Sequence, residues 1–346
     1  MIKYFKKRTT SRNRILEWDA LRGIAAVFVM VHHYTERYES IYGHIGHYYY
    51  ESLRGGQVGV CIFLMLSGYF MMVSLSKCNR LSEFIVKRSV RLYPAYIVAV
   101  LLTSIFVWVF GLPGRACSLL DTFINFTMIQ SFMGVKHVDG AYWTLVVELR
   151  YYFLFSFIFF FIARRKSDKS IYFAIAWLIA AALLQLLRNH TENIVVKAFS
   201  YLLIVEWCHV FIAGMMMSLM YKGILSNQIL HRVVLACMVY SFYSKTLPES
   251  IIFICVIVVF YMVVYGKLGF LCNRFLVFLG GISYSLYLLH QNIGFIIIRG
   301  MESIGLTNEF FLVIPMTIII LMATMVTYFV EHPIQAKLNQ LVKKLQ

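Results

Sequence analysis

Apolar runs of about the length that crosses a bilayer recur from near residue 20 to near residue 330, and no other feature constrains the fold so tightly. In hydrocarbon a backbone must satisfy its own amide groups, which leaves helices or a closed barrel. The ten-residue alternation of barrel strands is missing, so the chain is predicted to be all-α, a polytopic membrane helical bundle. Composition agrees. Of 346 residues, 60% are hydrophobic and 14% charged, and the mean hydropathy is +0.74, too apolar for a soluble domain of this length.

Ten spans are predicted, near 20–35, 58–76, 93–112, 143–163, 171–188, 199–220, 230–244, 250–266, 278–298 and 310–330. Their loops separate by charge. One set holds 22 basic residues, from Lys3, Lys6, Lys7 and Arg8 through the Lys77 to Arg91 segment to Lys343 and Lys344. The other holds eight: Arg37, Arg54, Arg115, Lys136, Arg188, Lys197, Lys245 and Arg299. The rule that cytoplasmic loops are basic puts both termini in the cytoplasm. Dropping the short 230–244 span would move the basic C-terminal tail outside, against that bias. The same bias accounts for a formal charge of +16 that in a soluble chain would suggest nucleic acid. The basic N-terminus is followed by no small-residue cleavage site and reads as the flank of an uncleaved first span. The predicted organisation is a cytoplasmic tail (1–19), one membrane domain (20–335) and a short cytoplasmic tail (336–346). Between Pro113 and Tyr142 the half-apolar "TFINFTMIQSFMG" is expected to lie in the interface or to re-enter. Seven cysteines without C-x-x-C spacing imply neither disulfides nor a metal.

Ionisable residues inside spans are costly and mark candidate sites. Arg22 and His33 are eleven residues apart, which returns them to within about 20° of one helix face, about 16 Å apart along the axis. His32 points about a quarter turn away. Glu148, about five residues into "YWTLVVELRYYFL", and His290, in "ISYSLYLLHQN", are expected at a depth near His33. A carboxylate beside an imidazole orients a general base and raises its basicity. Arg88 and Arg91, three apart at the expected start of the third span, have the form of an anion clamp. Each has a structural alternative: Arg22 snorkelling, Glu148 pairing with Arg150, His290 as a hydrogen-bonded core histidine, and Arg88 with Arg91 as ordinary loop charge. "EHP", Glu331 to Pro333, is expected to be structural, with the proline ending the last helix.

Six ordered motifs, "LRGIAAVFVMVHH", "GVCIFLMLSGYFM", "KRSVRLYP", "YWTLVVELRYYFL", "ISYSLYLLH" and "YFVEHP", run from about residue 16 to 335, and the whole resembles the acyltransferase 3 family of integral membrane acyltransferases. The Arg-x10-His spacing falls on Arg22 and His33. Departures lie at Cys61 and Ile62, and at His332. The resemblance implies a bacterial inner-membrane O-acetyltransferase. It would move an acyl group from cytoplasmic acetyl-CoA to a hydroxyl of a surface polysaccharide or lipid-linked sugar, without a metal. Carried over, His33 and Arg22 become the functional pair and Arg88 and Arg91 the coenzyme A contacts. With the reading of the residues beside it, His33 and Glu148 are expected to be catalytic, Arg22, Arg88 and Arg91 to contact the cofactor, and His290 to support substrate or structure. A second reading stays open, a subunit that exports a glycan or glycolipid, because intramembrane His, Glu and Arg also line substrate pathways. No inverted repeat favours it.

Overall fold

A computed structural model describes residues 15–45, 55–163 and 166–345. The basic N-terminal tail, Arg54 and the Arg164–Arg165 pair lie outside the described residues. Among the described residues the chain is all helical. In chain order the α-helices are α1 (Leu16–His32), α2 (Tyr38–Tyr42), α3 (Gly55–Leu75), α4 (Leu81–Phe110), α5 (Leu119–Asn125), α6 (Trp143–Phe157), α7 (Ser170–His190), α8 (Ile194–Leu202), α9 (Cys208–Lys222), α10 (Asn227–Ser244), α11 (Leu247–Val264), α12 (Arg274–Ser303), α13 (Val313–Met325) and α14 (His332–Leu345).

Helix occupies each of the ten expected segments, but six stretches among the described residues are long and apolar enough to cross a membrane. They are Gly55–Leu75, Leu81–Phe110, Gly140–Ile162, Ser167–His190, Leu247–Val264 and Glu309–Val342. The others fall short for identifiable reasons. α1 has 17 residues and α9 has 15, α10 carries His231 and Arg232, and α12 carries a block of buried polar residues.

Two of the boundaries that differ from the sequence reading lie at prolines. The third span was expected to begin near residue 93, yet α4 begins at Leu81 and runs through Pro94. Pro94 takes the amide partner from the Val90 carbonyl, and in the same turn the carbonyls of Arg91 and Leu92 accept from Gln335 Nε2 (3.0 Å) and Tyr284 Oη (3.1 Å), contacts that hold this part of the helix to α14 and α12. Pro333 does not end the last helix either. A π-helical stretch, Val326–Glu331, precedes α14, and its wider turn absorbs the mismatch so that helix continues to Leu345.

The chain divides into two compact units. The first comprises Met1–Trp18, Val60–Phe84 and Val147–Asn273; the second comprises Asp19–Gly59, Ile85–Val146 and Arg274–Gln346. In the first unit α9 is buried on all sides, from Cys208 to Met220, and packs on α7, α10 and α11. Tyr151 stacks on Phe211 with ring centroids 4.1 Å apart. Gly68 and Gly214 bring α3 and α9 together. A Cβ on Gly214 would stand 2.0 Å from the Met65 carbonyl oxygen, and one on Gly68 2.2 Å from that of Phe211. Small residues at crossings let membrane helices approach where the solvent gives no hydrophobic drive.

In the second unit α12 and α13 form an antiparallel pair, and α1 crosses α12 at Gly23 and Gly280, where a Cβ on Gly280 would stand 1.9 Å from the Asp19 carbonyl. The connection between α4 and α6 folds on itself. Ser118 and Asp121 form a capping box that starts α5, and Asn125 donates to the Lys136 carbonyl (2.9 Å) and accepts from Val138 N (3.1 Å). Its polar side chains Thr122, Asn125 and Gln130 are buried, whereas Leu119, Leu120 and Phe123 are exposed. That arrangement is the inverse of a soluble surface helix and suits an apolar surrounding.

Candidate active site

At His33 the regular winding of α1 gives way to a π turn, His33–Arg37. Such bulges inside helices occur frequently at functional positions. His33 Nδ1 lies 2.8 Å from the Val29 carbonyl oxygen and 3.3 Å from His290 Nε2, and the two rings meet edge to face at 4.8 Å. His290 Nδ1 lies 2.7 Å from the Tyr287 carbonyl oxygen. A carbonyl only accepts, so these partners assign the tautomers. His290 carries its proton on Nδ1 and presents the Nε2 lone pair to His33. His33 carries its proton on Nδ1, shared between Val29 and His290, and its Nε2 holds the lone pair. The arrangement is that of a general base. When Nε2 takes a proton, the imidazolium keeps two acceptors at Nδ1.

The buried turn of α12 that carries His290 is clamped by residues 138–144. Asp139 accepts from Asn292 N and Ala141 N, each at 2.9 Å, and Asn292 Nδ2 donates to the Val138 carbonyl at 2.8 Å. Tyr142 Oη donates to the Leu288 carbonyl, Tyr287 Oη to that of Ala141, and Thr144 Oγ1 meets Tyr287 Oη at 2.7 Å. From the π turn the Tyr34 hydroxyl donates to the His290 carbonyl at 2.8 Å. Burial raises the Asp139 carboxyl to about 6, while the two amide donors and Arg115 pull the other way.

The other expected residues are distributed as follows. Arg22, half-buried on α1, faces Asp19 at 3.7 Å. Arg88 is buried and Arg91 exposed, one turn apart on α4. They do not open a helix: α4 begins seven residues before Arg88, where the first-turn amides are, so dipole and free amide groups do not assist a clamp there. At His33 Nδ1 stand a backbone carbonyl and a second imidazole. Glu148 belongs to the first unit and accepts from the hydroxyls of Ser67 and Tyr152. Arg150, the alternative partner weighed for it, lies over the Tyr201 ring at 3.7 Å. Glu331 has the structural place expected of it, accepting from Ser285 Oγ (3.0 Å) and Gln335 Nε2 (3.2 Å). Tyr34, Asp139 and Asn292 were not anticipated. The signal for the last was present, three consecutive polar residues, His290 to Asn292, inside an apolar run.

Comparison with known proteins gives a family. The model of the family described as "Acyltransferase domain" matches residues 15–330. One similar curated protein is nodulation protein 10 of Rhizobium leguminosarum bv. viciae, 28% identical over 113 residues, a match covering 27% of this chain and 30% of that protein. The chain thus matches under a third of that relative's length. No solved structure matches it.

Proposed function

Because the chain belongs to this acyltransferase family, matched from residue 15 to 330, we propose that it transfers an acetyl group from acetyl-CoA to a hydroxyl of a cell-surface polysaccharide or lipid-linked sugar. The observation that carries the proposal is the tautomer set at His33. Two acceptors hold the Nδ1 proton and turn the Nε2 lone pair to use as a base. His33 Nε2 takes the acceptor hydroxyl proton as that oxygen attacks the thioester carbonyl carbon. The tetrahedral intermediate then collapses, the carbon–sulfur bond breaks, and the departing thiolate takes the proton from His33. His290 holds the imidazolium by accepting at Nδ1. Glu148, in the "YWTLVVELRYYFL" motif, is proposed as a further catalytic carboxylate, and Arg22, Arg88 and Arg91 as contacts for the anionic donor.

The protein is a multi-pass membrane protein by its apolar helices and its family. We place it in a bacterial cytoplasmic membrane with both termini cytoplasmic, because basic residues favour that side. Labelling of Lys343→Cys from outside intact cells would overturn this orientation. The activity is tested with purified protein, labelled acetyl-CoA and a sugar acceptor. Transfer is expected from the wild type and from His32→Ala, and a loss of about 10²-fold to 10⁴-fold from His33→Ala with donor binding kept. Donor binding without any transfer to sugars would favour the export reading instead.

A further inference from the structure

Directly beyond the π turn, the chain makes a second histidine site that the reaction does not use. His44 follows α2, and its side chain and that of Glu302 near the end of α12 are 1% and 3% exposed. His44 Nδ1 lies 2.8 Å from Glu302 Oε1, and its Nε2 lies 3.0 Å from the Tyr34 carbonyl oxygen. The second carboxylate oxygen, Oε2, accepts from Tyr38 Oη at 2.8 Å, and the His44 amide donates to Glu39 Oε2 at 2.7 Å. The ring lies 4.4 Å from that of Tyr38, while Phe295 packs edge on against Tyr38 and Tyr42 and reaches the His33 ring at 6.5 Å. Arg299 lies over the outer face of Tyr42.

Both ring nitrogens of His44 face oxygens that accept, a carboxylate and a backbone carbonyl. The ring therefore bridges the Glu302 carboxyl group and the Tyr34 carbonyl. We propose that His44, held by Glu302, is a positioning residue for the transfer reaction: it locks the Tyr34 carbonyl, and with it the π turn that begins at His33, against α12. Tyr34 joins the two sites. Its carbonyl accepts from His44, and its hydroxyl donates to the carbonyl of His290, the residue whose Nε2 accepts the hydrogen bond from His33. The buried His44–Glu302 pair thus fixes the turn that begins at the base to the helix that carries its support. The pairing matters because changing one partner leaves the buried polar atoms of the other mismatched, whereas changing both to amides gives two groups that can hydrogen-bond to each other.

The inference rests on His33 being the base, and the test separates the two. In purified full-length protein, Glu302→Gln and His44→Gln are each expected to lower kcat on the order of 10²-fold, the loss that misplacement by about 1 Å brings, with the acetyl-CoA KM unchanged. The double variant His44→Gln/Glu302→Gln is expected to recover most of that loss. Single variants with wild-type kcat, single variants whose loss lies in the acetyl-CoA KM, or a double variant no better than the singles would each overturn the latch. An active His33→Ala would instead overturn the assignment of the base, and an inactive one beside fully active latch variants would leave that assignment standing while refuting the latch.

Discussion

His290→Leu separates a supporting histidine from a catalytic one. The substitution keeps a buried side chain of similar bulk on α12 but removes the Nε2 acceptor 3.3 Å from His33 Nδ1. In the ground state that contact is the weaker half of a shared hydrogen bond, because Val29 accepts from the same nitrogen at 2.8 Å. It gains weight as His33 becomes an imidazolium, since hydrogen bonds to charged groups contribute about 1.5–3 kcal/mol. At 3.3 Å the bond is longer than the usual range, so the lower end, about 1.5 kcal/mol, applies. With about 1.4 kcal/mol per factor of ten, kcat should fall about tenfold. The tautomer survives because Val29 still fixes it. His290→Gln, whose Oε1 can accept in place of Nε2, should lie closer to the wild type. Initial rates with labelled acetyl-CoA, together with melting in detergent to confirm folding, give the comparison. If His290→Leu lost as much activity as His33→Ala, His290 would itself be carrying the proton and the assignment of roles would be wrong. If it lost none, the contact would contribute nothing in the transition state.

Three further outcomes are expected. Asp139 has a folded carboxyl raised from 3.8 to about 6, so the native state binds more protons than the unfolded state between those values. Stability should therefore fall as pH rises from about 4 to 6, by up to about 3 kcal/mol, and level off above; Asp139→Asn should flatten that slope in melting curves, and an unchanged slope would rule Asp139 out as its source. Gly214→Ala forces a Cβ to 2.0 Å from the Met65 carbonyl and should cost about 1–3 kcal/mol or the folded yield, while Gly281→Ala, with nothing within 4 Å, should be neutral or stabilising by up to about 1 kcal/mol; thermal melts of the two decide it, and equal stability would show that α3 and α9 can part freely. Replacing Arg88 and Arg91 together by Gln should raise the acetyl-CoA KM more than the acceptor KM, measured against Lys77→Gln and Lys87→Gln; an equal rise in those controls would reduce the effect to general charge.

Much of this protein was decided by short-range pattern. Apolar runs in hydrocarbon can only be helices, so the all-helical class and the positions of the helical segments followed from the sequence. The motif order led to the family, and His33 stood out because an imidazole on the same face as Arg22 is costly in a bilayer without a use. What the tertiary structure decided is how backbone groups freed by irregular turns are satisfied, which depends on residues far apart in the chain. Around Pro94 in α4, Tyr284 and Gln335 reach the carbonyls of Leu92 and Arg91 from α12 and α14, and helix resumes past Pro333 after a π turn. The partners of His33 Nδ1, the Val29 carbonyl and His290, could not be read beforehand, because the tautomer depends on which atom each nitrogen meets, and spacing along one helix does not contain that information. For the same reason Asp139 and His44, in connections that show no periodicity, became legible only once α12 had brought Asn292 and Glu302 to them.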